Sequence, residues 1–358
     1  MKRVLLLSAP VGSGHIMAAK ALEEELKTRE NVVVKHGNVF DFLPHWLTSS
    51  FLKLYLGVLS LCPALYGLAY SSGEGEQASF LWLRNLINKV MLKLGESYIK
   101  SFNPDIVIAT HATPLGIMSL YKQQHPEVWL GAVVPDYSIH AWWNNPMTDM
   151  YFLADEELTQ RITADAQTMA LGLPLRSTFF AYDKQALRQR YCFEEQDKVV
   201  LIMGGGEGLL PMEKILQLLV KVDNVKVVAI AGNNAALAKK LQERYVTNDK
   251  IKIYGFREDI PQLMSAADII VTKAGAVTAA EVLACDLSYI IYKPLPGQEE
   301  GNAKFLARKH QAMIAHSVQD IVDFVEKPKQ LVQKGELTVE ARRNATKKIC
   351  DYLLKKNR

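Results

Sequence analysis

The stretch VLLLSAPVGSGHIMAAK (residues 4–20) decides the fold. An apolar run enters a glycine loop. The loop enters IMAAKALEEELK, whose apolar positions recur at helical spacing with charges on the other face. That is the strand–loop–helix opening of a nucleotide-binding α/β unit. The dinucleotide fingerprint asks for a third glycine three residues after Gly14, and Met17 stands there. His15 sits where the helix begins, at the mouth of a phosphate-type loop.

The same opening returns at KVVLIMGGGEG (198–208). Between the two, NVVVKHGNVFDF, PDIVIATHA, WLGAVVPDYSIHAWW and MYFLADEE read as strands and their exits. After the second opening, VKVVAIAGNN, KIKIYGF, DIIVTKAG and LSYIIYKPLPG are strands, alternating with the helical segments AALAKKLQERY, DIPQLMSAA and AVTAAEVLAC. Alternation of this kind predicts parallel sheets covered by helices on both faces. The pattern resets around LGLPLRSTFF (171–180), and TVEARRNATKKICDYLLKKNR at the end reads as one basic amphipathic helix. The chain is therefore expected to hold two Rossmann-like halves, 1–170 and 171–335, followed by a terminal helix, 336–358.

Bulk properties agree. The 358 residues suit two domains, and 49% hydrophobic content supplies two cores. A net charge of +4 excludes a histone-like nucleic-acid binder. Cys62, Cys192, Cys285 and Cys350 are far apart, with no CxxC or Cys/His metal spacing, which reads as reduced thiols in a cytosolic protein. The N-terminal MKRVLLLSAP leads straight into the loop and helix, so it reads as a first strand and not a signal peptide. Residues 54–73 carry no charge and reach the length of a membrane span, but Gly57, Pro63, Gly67 and three serines interrupt them. A membrane span, two short buried helices and an interfacial element are the open readings.

Several loops carry chemistry. Gly204, Gly205, Gly206 and Gly208 follow a strand directly, where backbone can approach an anion and a helix N-terminus can supply N–H groups. In TKAGAVTAAEVLACDL (272–287), the strand ends at Lys273, Gly275 makes the turn, and Thr278 lies in the first helical turn. Glu281 follows three residues later on the same face, able to accept from both ribose hydroxyls or to stand as a solvated helix charge. Gln298, Glu299, Glu300 and Asn302 sit after Pro294, Pro296 and Gly297, a stiff polar loop suited to sugar hydroxyls or an ordinary helix cap. Asp136 stands just past a strand's carboxyl end, as a general base or a turn aspartate, and His140 with Trp142 and Trp143 follows it. His111 ends another strand, as a ligand contact or a capped core histidine.

Taken together, GSGH (12–15), PDYSIHAWW (135–143), GLPLR (172–176), LIMGGGEG (201–208), GFREDIPQLMSAADIIVTKAGAVTAAE (255–281) and YKPLPGQEEGN (292–302) resemble one family over nearly the whole chain. It is that of the bacterial processive diacylglycerol β-glucosyltransferases and plant monogalactosyldiacylglycerol synthases, in glycosyltransferase family 28. The resemblance implies a GT-B fold: two facing Rossmann-like doubly wound domains, with the C-terminal helix returning to the N-terminal one. It implies inverting transfer of a hexose from UDP-glucose, UDP-galactose or UDP-N-acetylglucosamine to a diacylglycerol-type lipid. The resemblance further implies that the sugar nucleotide would be a substrate and that no cofactor or metal would be required. Asp136 would be the general base, with His15 beside the donor sugar and phosphates. Arg176, Gly204, Gly205, Gly206, Lys273, Gly275 and Thr278 would serve the diphosphate side. Phe256 would meet uracil through its backbone, Glu281 the ribose, and Gln298 and Glu299 the sugar. Gly12, Gly14, His111, His140 and Trp143 would line the acceptor side.

A lipid acceptor does not leave its bilayer, so residues 54–73, flanked by Trp46 and Phe51, would form a peripheral, monotopic docking surface. It would meet anionic lipid on the cytoplasmic face of the membrane, helped by C-terminal lysines. Asn145 stands where relatives often carry a second histidine, and THATP (110–114) also departs from the pattern, which leaves the acceptor open. Transfer to another lipid-linked acceptor, a UDP-sugar 2-epimerase reaction and a non-catalytic UDP-sugar sensor are the competing readings.

Overall fold

The computed structural model describes residues 1–9, 13–42, 78–180, 182–206, 208–331 and 338–356. Two compact units emerge: Met1–Arg176 with Pro296–Gln298 and Ala341–Arg358, and Ser177–Leu295 with Glu299–Glu340. The chain thus leaves the first unit after Arg176, touches it again at Pro296–Gln298 and returns to it from Ala341, where the sequence suggested breaks after 170 and 335.

The first unit runs β1 (Lys2–Ser8), α1 (Ser13–Lys27), β2 (Val32–Asn38), α2 (Ala78–Phe102), β3 (Ile106–Ala109), α3 (Ala112–Gln124), β4 (Trp129–Val133), β5 (Met150–Leu153) and β6 (Gln167–Ala170). All six strands are parallel, in the order β2-β1-β3-β4-β5-β6. Val4, Leu5, Leu6 and Leu7 are fully buried, as a central parallel strand requires when helices cover both its faces. The edge strand β6, QTMA, was not anticipated: it is four residues long and only partly buried, too short for a period-2 pattern to register.

The second unit runs α4 (Lys184–Arg190), β7 (Lys198–Met203), α5 (Met212–Leu219), β8 (Val225–Ile230), α6 (Ala235–Arg244), β9 (Ile251–Tyr254), α7 (Ile260–Ala266), β10 (Ile269–Thr272), α8 (Ala276–Cys285), β11 (Ser288–Tyr292), α9 (Gln298–His310), β12 (Met313–Ala315) and α10 (Val318–Glu326). Its parallel sheet has the order β12-β11-β10-β7-β8-β9. Counted within the unit, that is the 3-2-1-4-5-6 order of the Rossmann fold. Local chemistry starts its helices where expected: Asp183 and Asn234 cap α4 and α6, and Ser317 with Asp320 forms a capping box for α10.

The C-terminal segment is two helices, α11 (Val339–Arg343) and α12 (Ala345–Lys356), not one. Asn344, a poor helix former and a good N-cap, separates them, and its carbonyl accepts from Lys348 N at 3.0 Å to start α12. Ile349, Cys350 and Leu353 of α12 complete the core made by Val4, Leu6, Leu22, Leu26, Ile108 and Phe152. Thr346 Oγ1 donates to Leu175 O at 2.7 Å and accepts from Leu175 N at 2.8 Å, pinning α12 to the end of the unit.

None of the described helices is long and apolar enough to cross a membrane. The charge-free stretch 54–73, with Trp46 and Phe51, lies outside the described residues, as does Gly12.

Candidate active site

In open parallel sheets, ligands sit beyond the carboxyl ends of the strands, where the strand order reverses. In the first unit that point lies between β1 and β3, whose ends are in register at Leu7 and Ala109. In the second it lies between β7 and β10, in register at Met203 and Thr272. The residues that leave these four strand ends are His15, Thr110 and His111 in one unit, and Gly204–Gly208 and Lys273–Thr278 in the other.

His15, in the first turn of α1, places its ring Nδ1 2.7 Å from the Thr110 carbonyl. The Thr110 hydroxyl donates to the His15 carbonyl at 2.9 Å. His111 is the N-cap of α3, its Nδ1 accepting from Thr113 N at 3.1 Å. The two imidazoles meet edge to face, with centroids 4.6 Å apart. Burial pulls the His15 ring down to about 4, against a smaller upward pull from its hydrogen bond to Thr110. His111 lies well below the usual histidine value, through burial and then the neighbouring His15 and His140. His140 is also lowered to about 4, again mainly by burial. All three rings are neutral at pH 7.

Asp136 follows β4 and is buried, and Gln298 donates its side-chain amide to Asp136 Oδ1. Trp143 is buried, its ring centroid 6.3 Å from that of His140. Asn145, the departure from the expected histidine, has a structural explanation. Its amide nitrogen donates to the Trp142 and Trp143 carbonyls at 3.1 and 3.2 Å, and its oxygen accepts from Arg84 Nη2 at 2.7 Å. Arg84, Thr110 and Tyr151, whose hydroxyl donates to Trp143 O at 2.7 Å, escaped the sequence reading because their partners lie across turns or far along the chain.

In the second unit, Gly204 and Gly208 are dictated by the loop itself. A Cβ on Gly204 would lie 2.7 Å from the Gly208 carbonyl carbon, and one on Gly208 would lie 2.4 Å from the Ala231 oxygen. Gly205 has φ +74, which favours glycine. Gly206 is different: a Cβ there would meet nothing within 4 Å, so an exposed backbone segment faces open space. The helix expected directly after this loop begins only at Met212, preceded by Pro211, so its N-terminus is set back from the glycines.

Lys273 borders the same loop; its Cε would lie 3.6 Å from a Cβ on Gly205. Its ammonium pairs with Glu299 Oε1 at 3.0 Å, and Glu299 Oε2 accepts from Leu295 N at 2.8 Å. Glu299 thus braces its loop with both oxygens while keeping lone pairs for further donors. Gly275 is the N-cap of α8, and Thr278 lies half-buried in the first turn. Glu281 is buried, not a solvated helix charge. Asn302, expected to face a sugar, is buried and donates to the Ala274 carbonyl at 3.1 Å. Phe256 is 66% exposed after β9, Gly14 and Arg176 are partly buried, and Gln298 opens α9. Among the described residues, no group of His, Cys, Asp and Glu side chains is arranged to hold a metal ion.

Two parallel six-stranded sheets of these orders define a GT-B protein. Solved structures agree: the fold matches Acinetobacter baumannii MurG with a TM-score of 0.62 at 18% identity, covering 99% of this chain and 100% of that one. It also matches the UDP-GlcNAc 2-epimerase of Neisseria meningitidis with a TM-score of 0.57 at 16% identity, over 99% and 100% of the two chains. The fold alone therefore does not separate transferase from epimerase.

Sequence does. Residues 15–174 match the monogalactosyldiacylglycerol (MGDG) synthase model, and residues 199–353 match the glycosyltransferase family 28 C-terminal domain. The processive diacylglycerol beta-glucosyltransferase of Bacillus cereus ATCC 14579 is 30% identical, over 92% of this chain and 86% of its own. That of Bacillus subtilis strain 168 is 29% identical over 90% and 86%. The chain belongs to glycosyltransferase family 28, in the group of monogalactosyldiacylglycerol synthases and processive diacylglycerol β-glucosyltransferases. It is a hexosyltransferase, and the epimerase reading is set aside.

Proposed function

We infer that the protein moves a hexose from a UDP-sugar to the hydroxyl of diacylglycerol, or of a glycosyl-diacylglycerol, with inversion at the anomeric carbon. The observation that carries this reading is the relation to diacylglycerol β-glucosyltransferases along most of the chain. The two switch-point clusters support it. Backbone at Gly205 and Gly206, together with Lys273 and Thr278, receives the diphosphate. Phe256 meets uracil, Glu281 takes the ribose hydroxyls, and Gln298 and Glu299 reach the sugar. The lipid hydroxyl attacks the anomeric carbon, Asp136 takes its proton, and UDP departs. The charge growing on UDP is met by Lys273 and by the N-terminal end of α8.

The acceptor places the enzyme on a membrane. Helix α2 supports that reading: Leu86, Ile87, Val90 and Leu94 are each 44–51% exposed, at helical spacing, and Lys89 and Lys93 beside them are exposed too. Such a stripe suits an anionic bilayer surface on the cytoplasmic face, reached peripherally. Changing Leu86, Val90 and Leu94 to Glu releases the protein from sedimenting anionic vesicles; unchanged sedimentation removes α2 from the docking surface.

The test of function is a panel of labelled UDP-glucose, UDP-galactose and UDP-N-acetylglucosamine with diacylglycerol vesicles, the lipid product analysed by mass. A hexosyl-diacylglycerol from one of the hexose donors is expected. Product only on another lipid-linked acceptor would replace the acceptor, and UDP release without glycolipid would overturn the reading.

A further inference from the structure

Two backbone groups fix the protons of His15 and His111, and fix them in opposite ways. A carbonyl only accepts, so the bond between His15 Nδ1 and Thr110 O puts a proton on Nδ1. A peptide N–H only donates, so the bond from Thr113 N leaves His111 Nδ1 without one. A neutral imidazole carries a single ring proton. His15 Nε2 is therefore an acceptor, and His111 Nε2 carries a hydrogen to donate. Neither Nε2 has a hydrogen-bond partner among the described residues, and both residues are half-buried. The rings stand at 86° to one another, 4.6 Å between centroids, at the reversal point of the first sheet.

We propose that the two Nε2 atoms hold one substrate hydroxyl between them, His15 accepting its hydrogen and His111 donating to its oxygen. A hydroxyl answers both atoms at once, whereas an ether oxygen or a hydrogen at that position strands one or both. Such stranding is the strongest form of discrimination a polar site offers. The pair is thus a specificity device for a hydroxyl of the acceptor lipid or of the transferred sugar, and it rests on the transfer reaction inferred above. Each ring has two separate duties: Nδ1 serves the fold, and Nε2 serves the substrate.

That separation makes the test clean. His15→Asn keeps a side-chain N–H for the Thr110 carbonyl, and His111→Asn keeps an oxygen to cap Thr113 N, so each removes Nε2 alone. The full chain is assayed with UDP-glucose and diacylglycerol vesicles. Each single variant is expected to keep its melting midpoint and to lose on the order of tenfold in kcat/KM. The double variant loses far less than the product of the two, because one hydroxyl is lost only once. A raised KM for the lipid assigns the hydroxyl to the acceptor; a raised KM for UDP-glucose assigns it to the donor sugar. Parental kcat/KM in either folded variant, or losses that multiply, overturn the pair. Absence of product from the parent protein overturns the transfer reading instead. The pair is then decided by nitrogen NMR of 15N-histidine-labelled protein at pH 7: Nδ1–H at His15 with Nε2–H at His111 supports it, and one shared tautomer overturns it.

Discussion

Thr110 and His15 are joined twice, although 95 residues separate them: the ring Nδ1 bonds the Thr110 carbonyl at 2.7 Å, and the Thr110 hydroxyl bonds the His15 carbonyl at 2.9 Å. The side chain of Thr110 is fully buried, so its hydroxyl has no water to fall back on. Thr110→Val keeps the carbonyl arm and deletes the hydroxyl arm. Denaturant titration should show a loss of about 1 kcal/mol, the net value of one buried hydrogen bond. Steady-state kinetics should show a fall in kcat/KM, because His15 loses half of its anchorage. Thr110→Ser should restore both, and a valine variant at parental values would show that the hydroxyl arm does not position His15.

The three neutral histidines make the fold acid-sensitive in a defined window. His15 and His140 are lowered to about 4 in the fold, and His111 lies well below its usual value. In the unfolded chain they titrate near ~6.5. Between those values the unfolded state binds more protons, so stability is full above the unfolded value and is lost as pH falls toward 4. Denaturant midpoints should decline from pH 7 to pH 5, before the carboxylates begin to protonate. Combining His15→Asn with His111→Asn should flatten that decline. A slope unchanged by the double substitution would mean that other groups carry the acid response.

Glu281 is buried on α8, on the same helical face as Thr278, where its carboxylate can accept from ribose hydroxyls. Glu281→Gln preserves volume and removes the charge. Calorimetry should show UDP binding weakened by about tenfold, or roughly 1.4 kcal/mol. Equal affinity in parent and variant would remove Glu281 from the ribose.

Much of this was legible in the sequence, and the reasons differ by region. Helix α8 runs from Ala276 to Cys285 as read, because Gly275 before it and Asp286 in the left-handed conformation after it punctuate a run of good helix formers. The alternation of strand and helix revealed both sheets, since β1, β3, β5, β7 and β10 each carry an apolar run of at least three residues. Strand order was not legible: nothing local states that β7 lies between β8 and β10. Nor were the polar partnerships. The lock on His15 comes from a residue at the end of another strand, and Asn145 looks like a lost histidine until its bonds to Trp142, Trp143 and Arg84 are seen. Glu299 and Asn302 read alike as polar loop residues, yet one braces Lys273 and Leu295 while the other is buried against Ala274. Spacing cannot tell these apart, because the difference is made by burial.

The most direct test of the account is the time course of glycolipid formation by the parent protein and Asp136→Asn, with UDP-glucose and diacylglycerol vesicles, the anomeric linkage read by NMR. Loss of a general base costs roughly 10²–10⁴ in rate. The parent should form a β-linked hexosyl-diacylglycerol, and Asp136→Asn should lose at least two orders of magnitude in turnover while still binding UDP. An α-linked product, or parental turnover in the asparagine variant, would contradict the account.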